Sequence, residues 1–428
     1  MDPYRERPKR FKDFQKSYDF IRRDRVRKMV VLKKDKFDQM LEEMHNEEMA
    51  VAEKLDQAII TSTDDVLKLV QECDSSNIDV AYHAIFNFLL YLCRKQELFL
   101  DTFLETDVKY NIACALTNIA SGDFRHTSYL LEESVIAALS SLLCDTNTCL
   151  VEQSIWALSN IIGDGPEPRN FVLRSNILSA LYQPLNLHYK SIPVMKHLSL
   201  MLINICYNKD AEVPIEYVPQ IISILDVLLA QNDENILDAV LWSMTYLSDC
   251  SSNYVSLLFE SGIVDKIYKF LYTSEKMIVD IFKIVSQFST NEHIQFLLNN
   301  GIYVHLRQFL NAQNSCLKKE IYWVLSNIAA GTRSQMLTVL SSDFFPEIIK
   351  NLEEGPYEVK REACWVIINV IHGCIDQEVE PFIDSKLLYS FRCFMVTRNI
   401  QMFIAVLVTM KVLLRVKLLL FIALFGRK

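Results

Sequence analysis

The feature that most constrains this chain is a helical motif that recurs every 40 to 44 residues. Seven segments carry it, for example WALSNIIGD at 156–164 and WVLSNIAAG at 323–331. Each segment has one anchor residue at the same place, and successive anchors are 42, 44, 42, 41, 40 and 42 residues apart. The anchors are Asn118, Asn160, Asn204, Tyr246, Gln287, Asn327 and Asn369.

A fixed period near forty with apolar residues at i, i+3 and i+4 indicates an all-α solenoid of the armadillo or HEAT type. Leucine-rich and ankyrin repeats are shorter, and WD40 repeats would show strand alternation. The chain has only 9 glycines in 428 residues, yet a glycine or asparagine follows six anchors by three or four residues. We predict that each anchor helix ends there, in a left-handed residue. These residues are Gly122, Gly163, Asn208, Asn291, Gly331 and Gly373.

All four tryptophans lie four residues before an anchor, on the same helix face as that anchor. They are Trp156, Trp242, Trp323 and Trp365. An indole repeatedly placed beside a hydrogen-bonding side chain predicts one surface built several times over. Two structural alternatives stay open: a tryptophan can be a core residue, and a recurring asparagine can bond a carbonyl of the neighbouring repeat.

Charge is distributed unevenly along the chain. Residues 1–36 contain fourteen Lys or Arg and six acids, a balance of +8, so a net charge of −9 leaves −17 for the remainder. We expect 1–20 to be extended, 21–45 to be an amphipathic helix and 46–60 to be a linker. A basic arm on an acidic body predicts self-docking, an acidic partner, or both. An RNA-binding or membrane-binding tail is the alternative.

The sequence gives almost no support to an enzyme. It has no Ser/His/Asp set, Gly-rich phosphate loop or HExxH, and its 11 cysteines form no CxxC pair. We therefore expect no cofactor and no metal. Residues 402–425 are apolar except for Thr409, Lys411, Arg415 and Lys417. Three central cations disfavour a membrane span, so we expect a buried last repeat that ends abruptly.

These segments resemble the importin-α family, the armadillo-repeat adaptors of nuclear import. The resemblance rests on ALTNIASG (115–122), WALSNIIGDG (156–165), NICYNKD (204–210), WSMTYLSD (242–249), REACWVIIN (361–369) and the basic N-terminal stretch RRDRVRKMVVLKKDK. It implies a right-handed superhelical solenoid of armadillo repeats over 61–428, with truncated or aberrant C-terminal repeats. It also implies an importin-β-binding arm and linker at 1–50.

The resemblance implies two grooves for cargo peptides and one arm for importin-β. The major groove would use Asn118, Trp156, Asn160, Asp164, Asn204, Trp242 and Asp249. The minor groove would use Lys283, Gln287, Glu320, Trp323, Asn327, Glu362, Trp365 and Asn369. The arm would use Arg10, Lys12, Arg22, Arg23, Arg25, Arg27, Lys28, Lys33 and Lys34.

The chain also departs from the family pattern. Cys114 and Leu200 replace two tryptophans of the major groove, so we expect that groove to be weakened and the minor groove to be better preserved. The acidic stretch FDQMLEEMHNEE replaces the family's basic linker cluster, so self-inhibition should be weak. Asp164, Asp249, Glu320 and Glu362 could instead be solvated acids.

The function implied is a nuclear import adaptor that binds basic nuclear localisation signals and links them to importin-β. It would shuttle between cytoplasm and nucleus, with no direct binding of nucleic acid. Recycling by a nuclear export receptor is an implied partnership that the unusual C-terminus speaks against. The alternative is an armadillo scaffold for other protein partners, with reduced or lost cargo binding.

Overall fold

The protein is described here from a computed structural model. It describes the ranges 130–207, 211–272, 275–309, 314–342, 344–383, 385–395 and 399–425, and the isolated residues 68, 109, 110, 113, 114, 116, 117, 120, 121, 127, 128 and 312. Asn118, Gly122, Asn208 and the arm at 1–50 lie outside these residues. The chain divides into two compact units, Met1–Ile205 and Cys206–Lys428. All regular structure in the described ranges is helical, which confirms the all-α prediction.

The first unit places two long helices around a set of short ones. Its helices are α1 (Glu133–Leu142), α2 (Thr148–Gly163), α3 (Pro166–Arg174), α4 (Ile177–Ala180), α5 (Tyr182–Leu187) and α6 (Ile192–Cys206). The side chain of Asn147 accepts a hydrogen bond from the amide of Cys149 at 3.0 Å, which fixes the start of α2. Val151, Ile155 and Leu158 are fully buried on one face of α2. An apolar stripe of this kind is what the 3.6-residue pattern predicts.

The second unit repeats the order of short helices followed by a long one. Its helices are α7 (Val218–Leu228), α8 (Glu234–Ser248), α9 (Ser252–Glu260), α10 (Ile263–Ile267), α11 (Glu275–Ser286), α12 (Asn291–Asn299), α13 (Ile302–Phe309), α14 (Ser315–Ala329), α15 (Arg333–Leu340), α16 (Phe345–Glu354), α17 (Tyr357–Gly373), α18 (Asp376–Val379), α19 (Ser385–Ser390), α20 (Arg392–Met395) and α21 (Ile400–Phe425). Short 3₁₀ turns lie at Ile215–Tyr217, Tyr268–Tyr272 and Glu380–Phe382.

Three helices per repeat distinguish the armadillo repeat from the two-helix HEAT repeat. The long helices α8, α11, α14, α17 and α21 pack on one another in chain order, with the short helices between them. The stacking follows from the roughly forty-residue period, because each repeat buries its apolar faces against its neighbours. The fold is an armadillo-repeat solenoid.

The sharp turn between the first two helices of a repeat uses a left-handed residue at three places. Asn176 precedes α4 with φ 59°, Gly262 precedes α10 with φ 71° and Gly301 precedes α13 with φ 72°. The prediction that Gly163, Asn291, Gly331 and Gly373 are left-handed is wrong, because none of them has a positive φ. Three helix ends were predicted within two residues, because α2 ends at Gly163, α14 at Ala329 and α17 at Gly373. The end predicted at Asn291 is wrong, because α11 ends at Ser286 and Asn291 begins α12.

The last helix, α21, is buried on one face only. Met402, Val406 and Leu413 are at most 1% exposed, whereas Ile400 is 71% exposed. The expectation of a buried last helix is therefore correct for one face of α21 and wrong for the opposite face. Within the described residues, no helix combines the length and hydropathy needed to cross a bilayer.

Candidate peptide-binding site

The anchors among the described residues lie at, or one residue past, the C-terminal ends of the long helices. Asn160 is on α2, Asn204 on α6, Tyr246 on α8, Asn327 on α14 and Asn369 on α17, while Gln287 follows α11 by one residue. Since the long helices stack in sequence, the same register position in each helix recurs at one edge of the repeats. The sequence period thus becomes a row of anchors within each unit.

Four asparagine anchors connect their helix to the preceding repeat by hydrogen bonds. Each donates from Nδ2 to the carbonyl oxygen of the residue just before the previous anchor. Asn204 donates to Ser159 O at 3.0 Å, Asn327 to Ser286 O at 2.7 Å, and Asn369 to Ser326 O at 2.9 Å. Asn160 donates to Thr117 O at 3.4 Å and, more closely, to Ser121 Oγ at 2.9 Å. Each of these four asparagines therefore has the predicted structural role, a hydrogen bond to a carbonyl of the neighbouring repeat.

The hydrogen bond to the preceding repeat uses the amide nitrogen, Nδ2, and leaves the amide oxygen, Oδ1, as an acceptor. The Oδ1 atoms of Asn160 and Asn204 make no hydrogen bond to any described residue, and both side chains are half-buried. An extended peptide could donate a backbone N–H to each of them. Asn327 differs, because its side chain is only 4% exposed. Its predicted place in the minor groove does not give it a free surface.

Trp156 is the open indole of the first unit. It is 40% exposed, and its ring centroid lies 5.5 Å from that of His197 at an interplanar angle of 33°. Nδ1 of His197 lies 3.2 Å from a carboxylate oxygen of Glu152. Leu200, which occupies the next tryptophan position, is 49% exposed. The first unit therefore presents an aromatic face, an apolar face and a carboxylate close to the row of anchors.

The sequence pattern does not predict His197 and Glu152 as members of this site. His197 lies seven residues before the anchor Asn204, and Glu152 lies eight before Asn160, so both face the row one or two turns upstream. Nothing in their immediate sequence marks them. Asp164, predicted as an acidic lysine pocket, is the half-buried residue that ends α2.

The cation site on Trp242 is occupied from within the chain. Nζ of Lys283 lies 5.5 Å from the Trp242 ring centroid and 3.0 Å from Oδ1 of Asp280. Trp242 also packs on Tyr246, which in turn meets Tyr207 edge to face at 5.5 Å. An incoming lysine would have to displace Lys283 from this indole. Asp249, predicted beside it, is an exposed residue at the end of α8.

Three acids form a buried row along the second unit. Asp280, Glu320 and Glu362 each lie seven residues before an anchor, and they are 1%, 3% and 5% exposed. A carboxylate oxygen of Glu320 lies 3.4 Å from Nζ of Lys319, and one of Glu362 lies 2.7 Å from Nη2 of Arg361. The solvated alternative for Glu320 and Glu362 is wrong. Both are buried and are already paired with the preceding cation.

Burial affects the charge state of Glu320, the middle acid of this row. The loss of water around Glu320 raises the pKa of its carboxyl above the ordinary value, against the opposing effect of Lys319 and Lys283. Glu362 adds to the upward shift of the Glu320 pKa through like charge. Asp280 was not picked out from the sequence, although its spacing of 40 residues from Glu320 matches the repeat.

Trp323 and Trp365 are less open than Trp156, because both are only half-exposed. The residues predicted for the minor groove therefore keep half-exposed indoles, but Glu320, Glu362 and Asn327 are buried. The sequence predicts this groove to be the better preserved one, whereas its described side chains are less open to solvent than those of the first unit. The residues brought together with solvent access are those of the first unit. Among the described residues, no group of His, Cys, Asp and Glu could hold a metal ion.

Comparison with known proteins points to one group of relatives. Importin subunit alpha-1b of Oryza sativa subsp. japonica is 29% identical over 220 residues, which are 50% of this chain and 41% of the relative. Importin subunit alpha-2 of Arabidopsis thaliana is 31% identical over 38% of this chain and 30% of the relative. Importin subunit alpha-5 of Arabidopsis thaliana is 26% identical over 67% of this chain and 56% of the relative. The chain thus spans about a third to a little over half of the length of these relatives.

Solved structures agree on the fold alone. The crystal structure of an engineered protein matches with a TM-score of 0.60 at 18% identity, over 82% of this chain and 98% of the other. No protein-family model matches the chain.

Proposed function

We propose that this chain, a divergent member of the importin-α family, is an adaptor that binds lysine-rich nuclear localisation peptides along its first unit. The main support for the proposal is the open indole of Trp156, which is 40% exposed. It lies beside Asn160 and Asn204, which are hydrogen-bonded to the preceding repeat. The peptide's link to transport would be importin-β, bound through residues 1–50. The adaptor would then shuttle between cytoplasm and nucleus.

The chemistry of the first unit suits a lysine side chain. The four-carbon stem of a lysine can lie against the Trp156 indole and the exposed Leu200, which removes apolar surface from water. The ammonium then experiences the indole face and the carboxylate of Glu152, 3.2 Å from His197. The free Oδ1 atoms of Asn160 and Asn204 supply acceptors for the peptide backbone.

The hydrogen bonds between repeats also support peptide binding, because they fix the orientation of the asparagine side chains in advance. Because Nδ2 of Asn204 is held by both Ser159 O and Ser159 Oγ at 3.0 Å, the orientation of its Oδ1 is fixed before a peptide arrives. A fixed acceptor loses less conformational entropy on binding than a free side chain does. The structural role of the asparagines and their proposed binding role are therefore compatible.

A direct titration tests the proposal. A fluorescent lysine-rich localisation peptide is titrated with the full chain and followed by anisotropy, alongside the same peptide with every lysine replaced by glutamate. The proposal expects saturable binding of the first peptide and none of the second. If the lysine peptide does not bind at high micromolar protein concentration, the proposed adaptor function is wrong.

A second candidate is an armadillo scaffold for other partners, with reduced cargo binding. The position of Lys283 on Trp242, together with the buried acids Glu320 and Glu362, favours it, because these features close the second unit to an incoming lysine. Retained binding of importin-β with no binding of the lysine peptide would favour the scaffold.

A further inference from the structure

His197 lies between the two groups of the first unit that attract a cation. Its ring centroid lies 5.5 Å from that of Trp156, and its Nδ1 atom lies 3.2 Å from a carboxylate oxygen of Glu152. Trp156 and Glu152 are four residues apart on α2, so they share one face of that helix. The imidazole therefore takes part of the indole surface and of the carboxylate that the ammonium of a peptide lysine would use.

Two acceptors hold the ring of His197 in this place. Its Nδ1 atom lies 3.1 Å from the backbone oxygen of Pro193, one turn earlier on α6, and 3.2 Å from the carboxylate of Glu152. Because both partners are acceptors, Nδ1 must carry the hydrogen. The side chains of His197 and Glu152 are 25% and 30% exposed, so an incoming side chain can reach both of them.

The second unit has a similar arrangement with a permanent cation. Nζ of Lys283 lies 5.5 Å from the ring centroid of Trp242 and 3.0 Å from Oδ1 of Asp280. In both units the side chain on the indole comes from the next long helix, since His197 is on α6 after α2 and Lys283 is on α11 after α8. An ammonium is a permanent cation near neutral pH, whereas an imidazole is not. His197 is therefore the more easily displaced of the two.

We propose that His197 is an internal competitor for the peptide lysine that binds against Trp156, and that it thereby limits the affinity of the first unit. This inference rests on the proposed peptide site and names the residue that regulates it. A peptide lysine has to move the imidazole off the indole and off Glu152 before its own stem and ammonium can make those contacts. The free energy needed to displace His197 is lost from the free energy of peptide binding.

The position of His197 in the repeat accepts other side chains. His197 lies seven residues before its anchor, and the corresponding residues of the preceding and following repeats are Gln153 and Ala239. Alanine also has the highest helix propensity of all residues. His197→Ala should therefore remove the competitor while α6 and its packing stay intact.

Peptide titrations of the full chain test the competition. Anisotropy with the fluorescent lysine-rich peptide is measured for the wild type, His197→Ala and His197→Lys. His197→Ala should tighten binding at least about threefold, because the indole and Glu152 become available. His197→Lys should weaken binding at least about tenfold, because a permanent cation then competes, as Lys283 does on Trp242. Leu187→Lys, on the short helix α5 and 54% exposed, adds a cation to the same unit and should change affinity less than about twofold.

A double-mutant cycle connects the effect to the indole. In the Trp156→Ala background the contested indole is gone, so His197→Ala should tighten binding less than about twofold. A gain as large as in the wild-type background would mean that His197 does not compete for Trp156. Circular dichroism of each variant confirms that the repeats stay folded.

The outcomes separate this proposal from the adaptor function. If the wild type binds the peptide and His197→Ala binds it no more tightly, the competition is wrong and the adaptor function stands. Equal weakening by His197→Lys and Leu187→Lys would also overturn the competition, because the effect would then be one of net charge. Binding by His197→Ala but not by the wild type would support the competition and contradict the adaptor function of the natural chain. Binding by neither protein would overturn both.

Discussion

At the scale of single residues, the recurring asparagine holds neighbouring repeats together through hydrogen bonds. Its Nδ2 reaches the preceding repeat in all four cases, at distances from 2.7 to 3.4 Å for the carbonyl contact. Gly163 belongs to the same arrangement, since a Cβ there would lie 3.1 Å from Nδ2 of Asn204. The lack of a side chain at Gly163 leaves the space that the Asn204 amide fills.

Asn204→Ala should lower the free energy of unfolding by about 1 kcal/mol, because the hydrogen bonds to Ser159 are lost. Leu200→Ala, on the same helix and 49% exposed, should change it by no more than roughly 0.5 kcal/mol. Urea unfolding of both variants checks this. Equal losses of unfolding free energy in the two variants would mean that the Asn204 hydrogen bonds do not stabilise the repeats.

The buried carboxyl of Glu320 predicts a pH dependence. Its folded-state pKa is raised above the ordinary 4.5, so the stability that its proton supplies is present below that value and is lost as pH rises through the folded-state pKa. Glutamine carries no charge at any pH. Glu320→Gln should therefore gain stability relative to the wild type between about pH 5 and about pH 8, by the sign of this linkage.

Urea unfolding at the two pH values measures the difference, with the exposed Glu354→Gln as control. The control should give nearly the same stability difference at both values. A Glu320→Gln variant whose difference from the wild type does not grow with pH would contradict the raised pKa.

At the scale of helices, the turn that opens the second helix of a repeat depends on a left-handed residue. Gly262 adopts φ 71°, and an added Cβ would meet nothing within 4 Å, so only backbone strain opposes a substitution. Gly262→Ala should therefore cost about 1–2 kcal/mol of unfolding free energy. Gly262→Asn should cost less, because Asn176 adopts the same conformation at the same place in the first unit.

Thermal or urea unfolding of the two Gly262 variants provides the comparison. Equal stability of the alanine and asparagine variants would show that this turn is not conformationally demanding. The sequence period did not identify Gly262, because its role depends on the turn between two short helices, whereas the periodic signal belongs to the long helix.

At the scale of the whole molecule, the repeat period predicted the helices, the armadillo class and most helix ends. It could not predict burial around the site, because burial depends on the neighbouring repeat. Glu320 and Glu362 look like surface acids in sequence but are 3% and 5% exposed. Likewise, no sequence pattern shows that Lys283 lies over Trp242, since the two are 41 residues apart.

Deletion of residues 1–45 should abolish binding of importin-β, because the fourteen cations of 1–36 are the charge that such a partner would contact. Affinity for a lysine-rich peptide should change by less than about threefold, since the linker is acidic and does not mimic the peptide. Surface plasmon resonance with each partner measures both. A large rise in peptide affinity would contradict weak self-inhibition.

A comparison of affinities tests whether the first unit holds the proposed peptide site. Anisotropy titrations with the lysine-rich peptide are run on the wild type, on Trp156→Ala and on the double variant Trp323→Ala with Trp365→Ala. We predict that Trp156→Ala weakens binding by about tenfold, through loss of roughly 1 to 2 kcal/mol of cation–π and apolar contact. The double variant should weaken it by less than about threefold. A larger loss in the double variant than in Trp156→Ala would contradict a site in the first unit and place it in the second unit.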